Sequence, residues 1–329
     1  MADVFALGAS EEAEGRRRQM LRTAFGPTIA AALADPTVLE VMANPDGRLW
    51  IERAAVGRRD SGERLGTAEI ERIVRMVAAH VRREVSEAMP IVSAELPETG
   101  ERFEGVMPPV ATAPCFAVRK PADTLYRLGD YVAGRIMSPR QAAALALAVR
   151  ERKNILVVGG TSSGKTTLVN ALLAEVADLG ERVVLLEDTR ELKCTAADCL
   201  ALRTKPGVAS LGDLVRSTLR LRPDRIIVGE VRGPEALDML KAWNTGHPGG
   251  ITTVHANSAA AGLYRLEQLV QEAVVSVPRS LIVEAIDVVA FLAGRGAQRR
   301  LETLLEVTSL NADGDYALKA LGPASLDNP

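Results

Sequence analysis

One eight-residue stretch constrains the fold of this chain more than any other. Residues 159–166 read Gly-Gly-Thr-Ser-Ser-Gly-Lys-Thr. Before them lies the apolar, β-branched run 154–158, and after them residues 167–173 carry apolar side chains at helical spacing. The pattern G-x-x-x-x-G-K-T between a buried strand and a helix is that of the phosphate-binding P-loop. The sequence therefore predicts an α/β domain that binds the phosphate chain of a nucleotide.

The residue types of the P-loop indicate what each of them does. Its glycines allow backbone N–H groups to face phosphate oxygens, and the N-terminus of the following helix adds a favourable dipole. We expect Lys165 to reach the β- and γ-phosphates and the Thr166 hydroxyl to ligate Mg²⁺, so ATP and Mg²⁺ are the predicted cofactors. The predicted nucleotide-binding residues are Gly159, Gly160, Thr161, Ser162, Ser163, Gly164, Lys165, Thr166 and Thr167.

Two further strands are predicted to end in carboxylates. The strand 182–187 ends at Glu187, and the strand 225–229 is followed by Glu230. Ligands of open α/β sheets bind at the carboxyl ends of strands. Glu187 is therefore a candidate catalytic residue and Mg²⁺ ligand, with a helix cap or a turn as the alternative. Glu230 matches a Walker B pattern that ends in Glu, and we predict that it orients a water molecule for attack on the γ-phosphate.

A histidine and several arginines complete the set of candidates. His255 follows the strand 251–254, where it is a candidate catalytic residue that senses the γ-phosphate. The alternative is a structural histidine. Phosphoryl transfer also commonly uses an arginine finger. The sequence leaves this position open among Arg102 and Arg119 in the first half of the chain and Arg220, Arg222 and Arg232 in the second.

The order of predicted elements divides the chain into two domains. Residues 1–120 read as a smaller α+β domain, residues 121–137 as a linker that serves as a hinge, and residues 138–329 as alternating strands and helices. Such alternation favours a largely parallel sheet with helices on both faces. A helix predicted over 10–25 carries four arginines, either as a basic face for an anionic membrane or as a solvated face. Residues 322–329 are predicted to be a loose tail.

Composition narrows the class of function. The formal net charge is −2 and aromatic residues make up 3% of the chain, which disfavours direct binding to nucleic acid. The three cysteines do not form a C-x-x-C pair, so neither a disulfide framework nor a zinc site is predicted. No signal peptide or membrane-spanning run is visible, so we expect a cytoplasmic protein.

These motifs together resemble the secretion traffic ATPases of type IV systems, and among them the conjugative-transfer group TrbB. Four collinear segments carry the resemblance. They are the P-loop 159–166, the Asp box 187–192 with Cys194, the Walker B segment 219–233, and the His box 242–257. The first half of the chain matches more loosely through residues 100–102 and 118–120.

The resemblance implies a RecA-like P-loop NTPase domain preceded by a PAS-like domain. It also implies a hexameric ring that hydrolyses ATP between the two domains, at the cytoplasmic side of inner-membrane channel components and peripheral to that membrane. In this view Arg102 and Arg119 contact the phosphates and are counted as catalytic. The alternatives are a type IV pilus or type II secretion motor, a RecA-like nucleic-acid motor, and an ATP-gated scaffold. Three cysteines cannot build the four-cysteine zinc module usual in the type II branch, which favours conjugation.

Overall fold

The computed structural model describes residues 20–21, 23–54, 56–96, 100–121 and 125–321. The chain divides into two compact units, Met1–Asp123 and Thr124–Pro329. Of the helix predicted over 10–25, the part before residue 20 lies outside the described residues, as does the predicted tail 322–329. Residues 20–21 and 23–34 are helical, and residues 23–34 form helix α1.

The first unit is built on an antiparallel sheet. Its described strands pair in the order β3-β2-β1-β6-β5-β4, and every neighbouring pair is antiparallel. After α1, the elements are β1 Val38–Ala43, β2 Arg48–Arg53, β3 Gly57–Arg64, α2 Thr67–His80, β4 Ile91–Glu95, β5 Arg102–Val106 and β6 Cys115–Arg119. Strand β3 was not predicted, because it is an exposed edge strand whose eight residues are all polar or glycine.

Helix α2 supplies much of the core of this unit. Its apolar residues recur at helical spacing, so that Ile70, Ile73, Val74 and Val77 lie on one buried face. They join a cluster that includes residues of α1 and of the inward faces of the strands. The first unit therefore has its own hydrophobic core, as an α+β domain requires.

The second unit holds an eight-stranded sheet in the order β14-β13-β12-β7-β11-β10-β8-β9. Strands β12 to β9 in this order run parallel, while β13 and β14 extend the sheet antiparallel. The strands are β7 Ile155–Gly159, β8 Val183–Glu187, β9 Cys199–Arg203, β10 Arg225–Val228, β11 Ile251–Val254, β12 Val288–Ala293, β13 Arg300–Leu310 and β14 Tyr316–Ala320. The largely parallel sheet agrees with the predicted alternation.

Helices cover both faces of this sheet. They are α3 Leu128–Ala133, α4 Pro139–Arg150, α5 Lys165–Ala177, α6 Leu211–Thr218, α7 Glu235–Asn244, α8 Ala259–Gln271 and α9 Arg279–Ala285. Alternate residues of β7 point to opposite faces, so Ile155 and Val157 join a cluster with α3, α4 and α5, while Leu156 and Val158 join one with α6 to α9. Because β7 is buried on both faces, its sequence is a continuous apolar run.

The segment predicted as a linker is partly structured. Helix α3 lies within residues 121–137, and its Leu128 and Tyr131 are buried in the core of the second unit. A six-residue helix is too short to show helical periodicity, which explains why the sequence analysis assigned these residues to a linker. Residues from 128 onward therefore belong to the second unit.

Candidate nucleotide-binding site

The P-loop joins β7 to α5, and its geometry requires glycine at two positions. A Cβ atom at Gly159 would overlap the Ser163 hydroxyl and lie 2.8 Å from the Leu292 carbonyl oxygen. Gly164 has a φ of +92°, in the left-handed region that favours glycine. The chain can therefore turn tightly at the end of the strand and enter α5 directly.

The Lys165 side chain folds back onto its own loop. It is only 7% exposed, and its Nζ donates hydrogen bonds to the carbonyl oxygens of Gly159 at 3.1 Å and Gly160 at 3.2 Å. The same nitrogen lies 3.1 Å from Nδ1 of His255. A lysine ammonium has three N–H donors and no acceptor, so these contacts match its full set of donors.

His255 connects Lys165 to Glu230. Its Nε2 lies 3.0 Å from Oε1 of Glu230. Because an ammonium only donates and a carboxylate only accepts, Nδ1 must accept from Lys165 and Nε2 must carry the ring proton. Burial, followed by the positive charge of Lys165, lowers the pKa of His255 below its usual value. The imidazole is therefore neutral near pH 7 and has one defined tautomer.

Arg232 holds the other side of Glu230. Its Nη2 donates to Oε2 of Glu230 at 2.7 Å, and its Nη1 lies 3.8 Å from a carboxylate oxygen of Asp188. Burial opposes ionisation of Glu230, but the hydrogen bond and charge of Arg232, followed by the positive charge of Lys165, keep its pKa below the usual range. Glu230 is thus an ionised carboxylate with a hydrogen bond on each oxygen.

Glu187 organises the loop that follows β8. Its side chain is buried, and Oε1 accepts hydrogen bonds from the backbone N–H groups of Glu191 at 2.8 Å and Leu192 at 2.7 Å. Burial raises the pKa of Glu187, although these two bonds act in the opposite direction. The Thr166 hydroxyl donates to Oε2 of Glu191 at 3.1 Å. The carboxylate beside Thr166 is therefore that of Glu191, which the sequence analysis did not single out.

The remaining candidates are distributed over both units. Arg102 and Arg119 lie opposite each other on β5 and β6 of the first unit, and their contact with phosphates stays a prediction. Of the arginines considered in the second half, Arg232 is the one found beside Glu230. His247, whose Nδ1 lies 3.1 Å from the Pro223 carbonyl oxygen, makes a contact within the scaffold.

The polar groups around the P-loop suit a phosphate chain. The Ser163 hydroxyl is buried and has no hydrogen-bond partner among the described residues. It lies in a loop that also presents the Lys165 ammonium and the positive end of α5, so its donors converge where anions bind. The Thr166 hydroxyl and the Glu191 carboxylate are oxygen ligands of the kind that Mg²⁺ prefers. The residues present thus fit a nucleoside triphosphate with its metal ion.

A P-loop at the carboxyl edge of a mainly parallel sheet, with a glutamate and a histidine on neighbouring strands, defines a P-loop nucleotide-binding protein. The sequence matches the family described as Type II/IV secretion system protein over residues 26–304, and the chain belongs to this family. None of the helices in the described ranges is long and apolar enough to cross a membrane.

Individual relatives indicate which branch of the family this chain resembles. The chain is 45% identical to the conjugal transfer protein TrbB of Rhizobium radiobacter over 289 residues, which cover 87% of this chain and 89% of the relative. It is 43% identical to a probable TrbB of Sinorhizobium fredii over 302 residues, covering 91% and 92%. The predicted resemblance to type IV secretion ATPases of the TrbB group is confirmed.

A solved structure supports the fold independently. The ATPase DotB of Legionella pneumophila is 18% identical, with a TM-score of 0.58 over 87% of this chain and 76% of that one. At this identity the similarity concerns the α/β fold alone. A PAS-like character of the first unit stays a prediction.

Proposed function

We propose that this protein is a Mg²⁺-dependent ATPase that assembles as a homo-hexamer and powers conjugative transfer through a type IV secretion channel. The contacts that join Lys165, His255 and Glu230 are the observation that carries the proposal. They bring the group that binds phosphate within two hydrogen bonds of the carboxylate suited to activate water. Family membership and the similarity to conjugal transfer proteins support the biological setting.

The hydrogen-bond pattern suggests how binding prepares catalysis. Lys165 donates to two loop carbonyls and to His255, and a phosphate would compete for the same donors. When Lys165 turns to phosphate, Nδ1 of His255 loses its partner, so the histidine can report whether the site is filled. Glu230, ionised and held by Arg232, then serves as the base that orients water. ATP supplies the phosphoryl group that is transferred to this water.

The metal is assigned to Thr166 and a neighbouring carboxylate. The Thr166 hydroxyl is 3.1 Å from Glu191 Oε2, which favours Glu191 as the nearer carboxylate and gives Glu187 the task of positioning the 188–192 loop. Bound Mg²⁺ would neutralise charge on the phosphates. Arg102 and Arg119 are proposed as additional phosphate contacts on the strength of the family resemblance.

The setting of the ring follows from the same resemblance. We assign it to the cytoplasmic face of the inner membrane, in peripheral contact with channel components of the secretion system. We do not expect the protein to act directly on nucleic acid, because the chain has a net charge of −2 and few aromatic residues.

Phosphate release by the purified protein tests this function. The assay should be run with ATP and Mg²⁺, with and without single-stranded DNA or anionic phospholipid vesicles, alongside a mass measurement in solution. We expect Mg²⁺-dependent release, a mass of six chains, and at most weak stimulation by DNA. Lys165→Ala should abolish release because it removes the cation that holds the β- and γ-phosphates.

Two results would contradict the proposal. Release by Lys165→Ala at the wild-type rate would show that the P-loop is not the site of hydrolysis. Strong, salt-sensitive stimulation by DNA would instead indicate a nucleic-acid motor on the same fold.

A further inference from the structure

The turn between β12 and β13 lies next to the P-loop on the side away from Glu230. Strand β12 runs parallel to β7, and the last pair in their register is Leu292 with Gly159. Residues 294–299 therefore leave the sheet at the point where the P-loop begins. This turn contains two arginines, Arg295 and Arg299, which the sequence analysis did not consider.

The side chain of Arg299 packs directly on Gly164. A Cβ atom at Gly164 would lie 2.7 Å from Cζ and 2.8 Å from Nε of Arg299. The Nε atom is buried and has no hydrogen-bond partner within the described residues. In those same ranges the guanidinium makes no ion pair with a carboxylate. The adjacent Arg300 differs, because it pairs with Glu302 at 2.6 Å.

A second unpartnered polar group lies on α3, which is linked through Ile136 to the start of β13. The Tyr131 hydroxyl is buried and lacks a hydrogen-bond partner among the described residues. The Ile136 N–H donates to the Tyr131 carbonyl oxygen at 2.8 Å, and the Ile136 carbonyl accepts from the N–H of Leu301, two residues after Arg299, at 2.7 Å. Burial raises the pKa of Tyr131, and the positive charge of Arg299 acts in the opposite direction. Buried polar groups are normally paired, and leaving one unpaired is unfavourable. The unpaired Nε of Arg299 beside a P-loop glycine therefore points to a ligand that pairs with it.

The order of strands indicates which part of the ligand pairs with Arg299. Strands β11, β10 and β8 lie on one side of β7, and β12 and β13 lie on the other. The groups suited to the γ-phosphate, His255 and Glu230, follow β11 and β10. A nucleotide whose γ-phosphate lies on that side must extend its α-phosphate, ribose and base over Gly164 toward the other side. Arg299 is located there.

We propose that Arg299 binds the nucleoside end of ATP, at the α-phosphate and ribose. The inference rests on the proposed function. It adds Arg299 as a residue that binds ATP and ADP alike. A guanidinium offers five N–H donors in a planar fork, which suits phosphate and ribose oxygens. Arg299 thus contributes to nucleotide affinity, whereas Glu230 contributes to turnover.

Calorimetric titration of the full-length protein tests this assignment. ADP and a non-hydrolysable ATP analogue should be titrated in Mg²⁺ into wild type, Arg299→Ala, Arg299→Lys and the matched control Arg295→Ala. We expect Arg299→Ala to raise Kd for both nucleotides by about tenfold or more, as for a lost charge-assisted hydrogen bond. Arg299→Lys should recover part of the loss, and Arg295→Ala should bind like wild type. KM for ATP should change more than kcat.

The outcomes separate this inference from the proposed function. Equal affinity of Arg299→Ala and wild type would overturn it, as would a loss confined to the ATP analogue or an equal loss in Arg295→Ala. Failure of the wild type to bind either nucleotide would remove the proposed function and this inference with it. Thermal unfolding without nucleotide checks that Arg299→Ala is folded, and Arg299→Lys provides the comparison should its stability fall.

Discussion

The two flanks of the P-loop differ in how far their polar groups are already paired. On the flank of β11 and β10, Lys165, His255, Glu230 and Arg232 form a continuous series of hydrogen bonds. On the flank of β12, Arg299 and Tyr131 each keep a buried polar atom without a partner in the described part of the chain. In the proposed function, contacts within the protein already hold the flank of β11 and β10, the hydrolytic flank, whereas the flank of β12, the nucleoside flank, gains its partners from the nucleotide.

The largest effect is expected on the hydrolytic flank. Glu230→Gln should lower kcat by about 10²–10⁴-fold, the usual contribution of a positioned general base, while nucleotide affinity stays near that of wild type. Phosphate release and calorimetric titration measure the two quantities. Turnover at the wild-type rate in this variant would remove Glu230 from the mechanism and with it the functional contrast between the flanks.

A second comparison lies within the hydrolytic flank, between Glu191 and Glu187. Glu191→Gln should raise the Mg²⁺ concentration for half-maximal turnover by about tenfold, because the charge of the oxygen ligands sets metal affinity. Glu187→Gln should have a smaller effect, since an amide oxygen can still accept both backbone hydrogen bonds. A Mg²⁺ titration of phosphate release checks this. A larger effect in Glu187→Gln would favour the metal ligand that the sequence predicts.

The pH profile should also report on the hydrolytic flank. Burial and the charge of Lys165 lower the pKa of His255 below its usual value, so the ring becomes protonated only in more acidic solution, where Nδ1 can no longer accept from Lys165. We expect kcat/KM to fall several-fold as the pH drops through the lowered pKa of His255, and this acid limb to weaken in His255→Gln. Between the lowered pKa of His255 in the folded chain and its higher pKa in the unfolded chain, the unfolded chain binds more protons. In that pH range this group therefore makes the free energy of unfolding rise with pH. An unchanged profile in His255→Gln would contradict the role of the imidazole.

The smallest effect is expected at Tyr131 on the nucleoside flank. Tyr131→Phe removes a buried hydroxyl that has no partner in the described residues, so the free energy of unfolding without nucleotide should change by no more than about 1 kcal/mol. Nucleotide affinity should fall slightly if the ligand pairs with that hydroxyl. Chemical denaturation with and without ADP measures both. A strong loss of stability without nucleotide would show that the hydroxyl is already paired.

Much of the second unit could be predicted because its central strands are buried on both faces. Strands β7, β8 and β10 consist mainly of apolar residues, and the observed bounds of these strands and of β11 lie close to those expected. The edge strand β3 escaped prediction because backbone pairing, not burial, makes it a strand, and its residues are polar or glycine. Strand β9 escaped prediction although Leu200 and Leu202 alternate along it, because five residues give too short a pattern. The short helix α3 was missed because six residues are too few to show helical periodicity.

The site was predictable to the extent that parallel strands deliver their ends to one edge. Lys165, Glu230 and His255 meet because β7, β10 and β11 are neighbours in the sheet. Glu191 and Arg299 lie in irregular segments, and the path of such a segment follows from local contacts that carry no periodic signal. The hydrogen bonds from Glu191 and Leu192 to Glu187 fix one of these paths.

The way Lys165 folds onto its own loop has a consequence for ligand selectivity. Two carbonyl oxygens and an imidazole already solvate the ammonium, so the loop acts as an internal competitor of any incoming anion. A small monoanion offers too few oxygens to displace three partners at once, whereas a polyphosphate offers enough of them. The loop should therefore discriminate against chloride or acetate at cellular concentrations before any contact with a nucleobase is made.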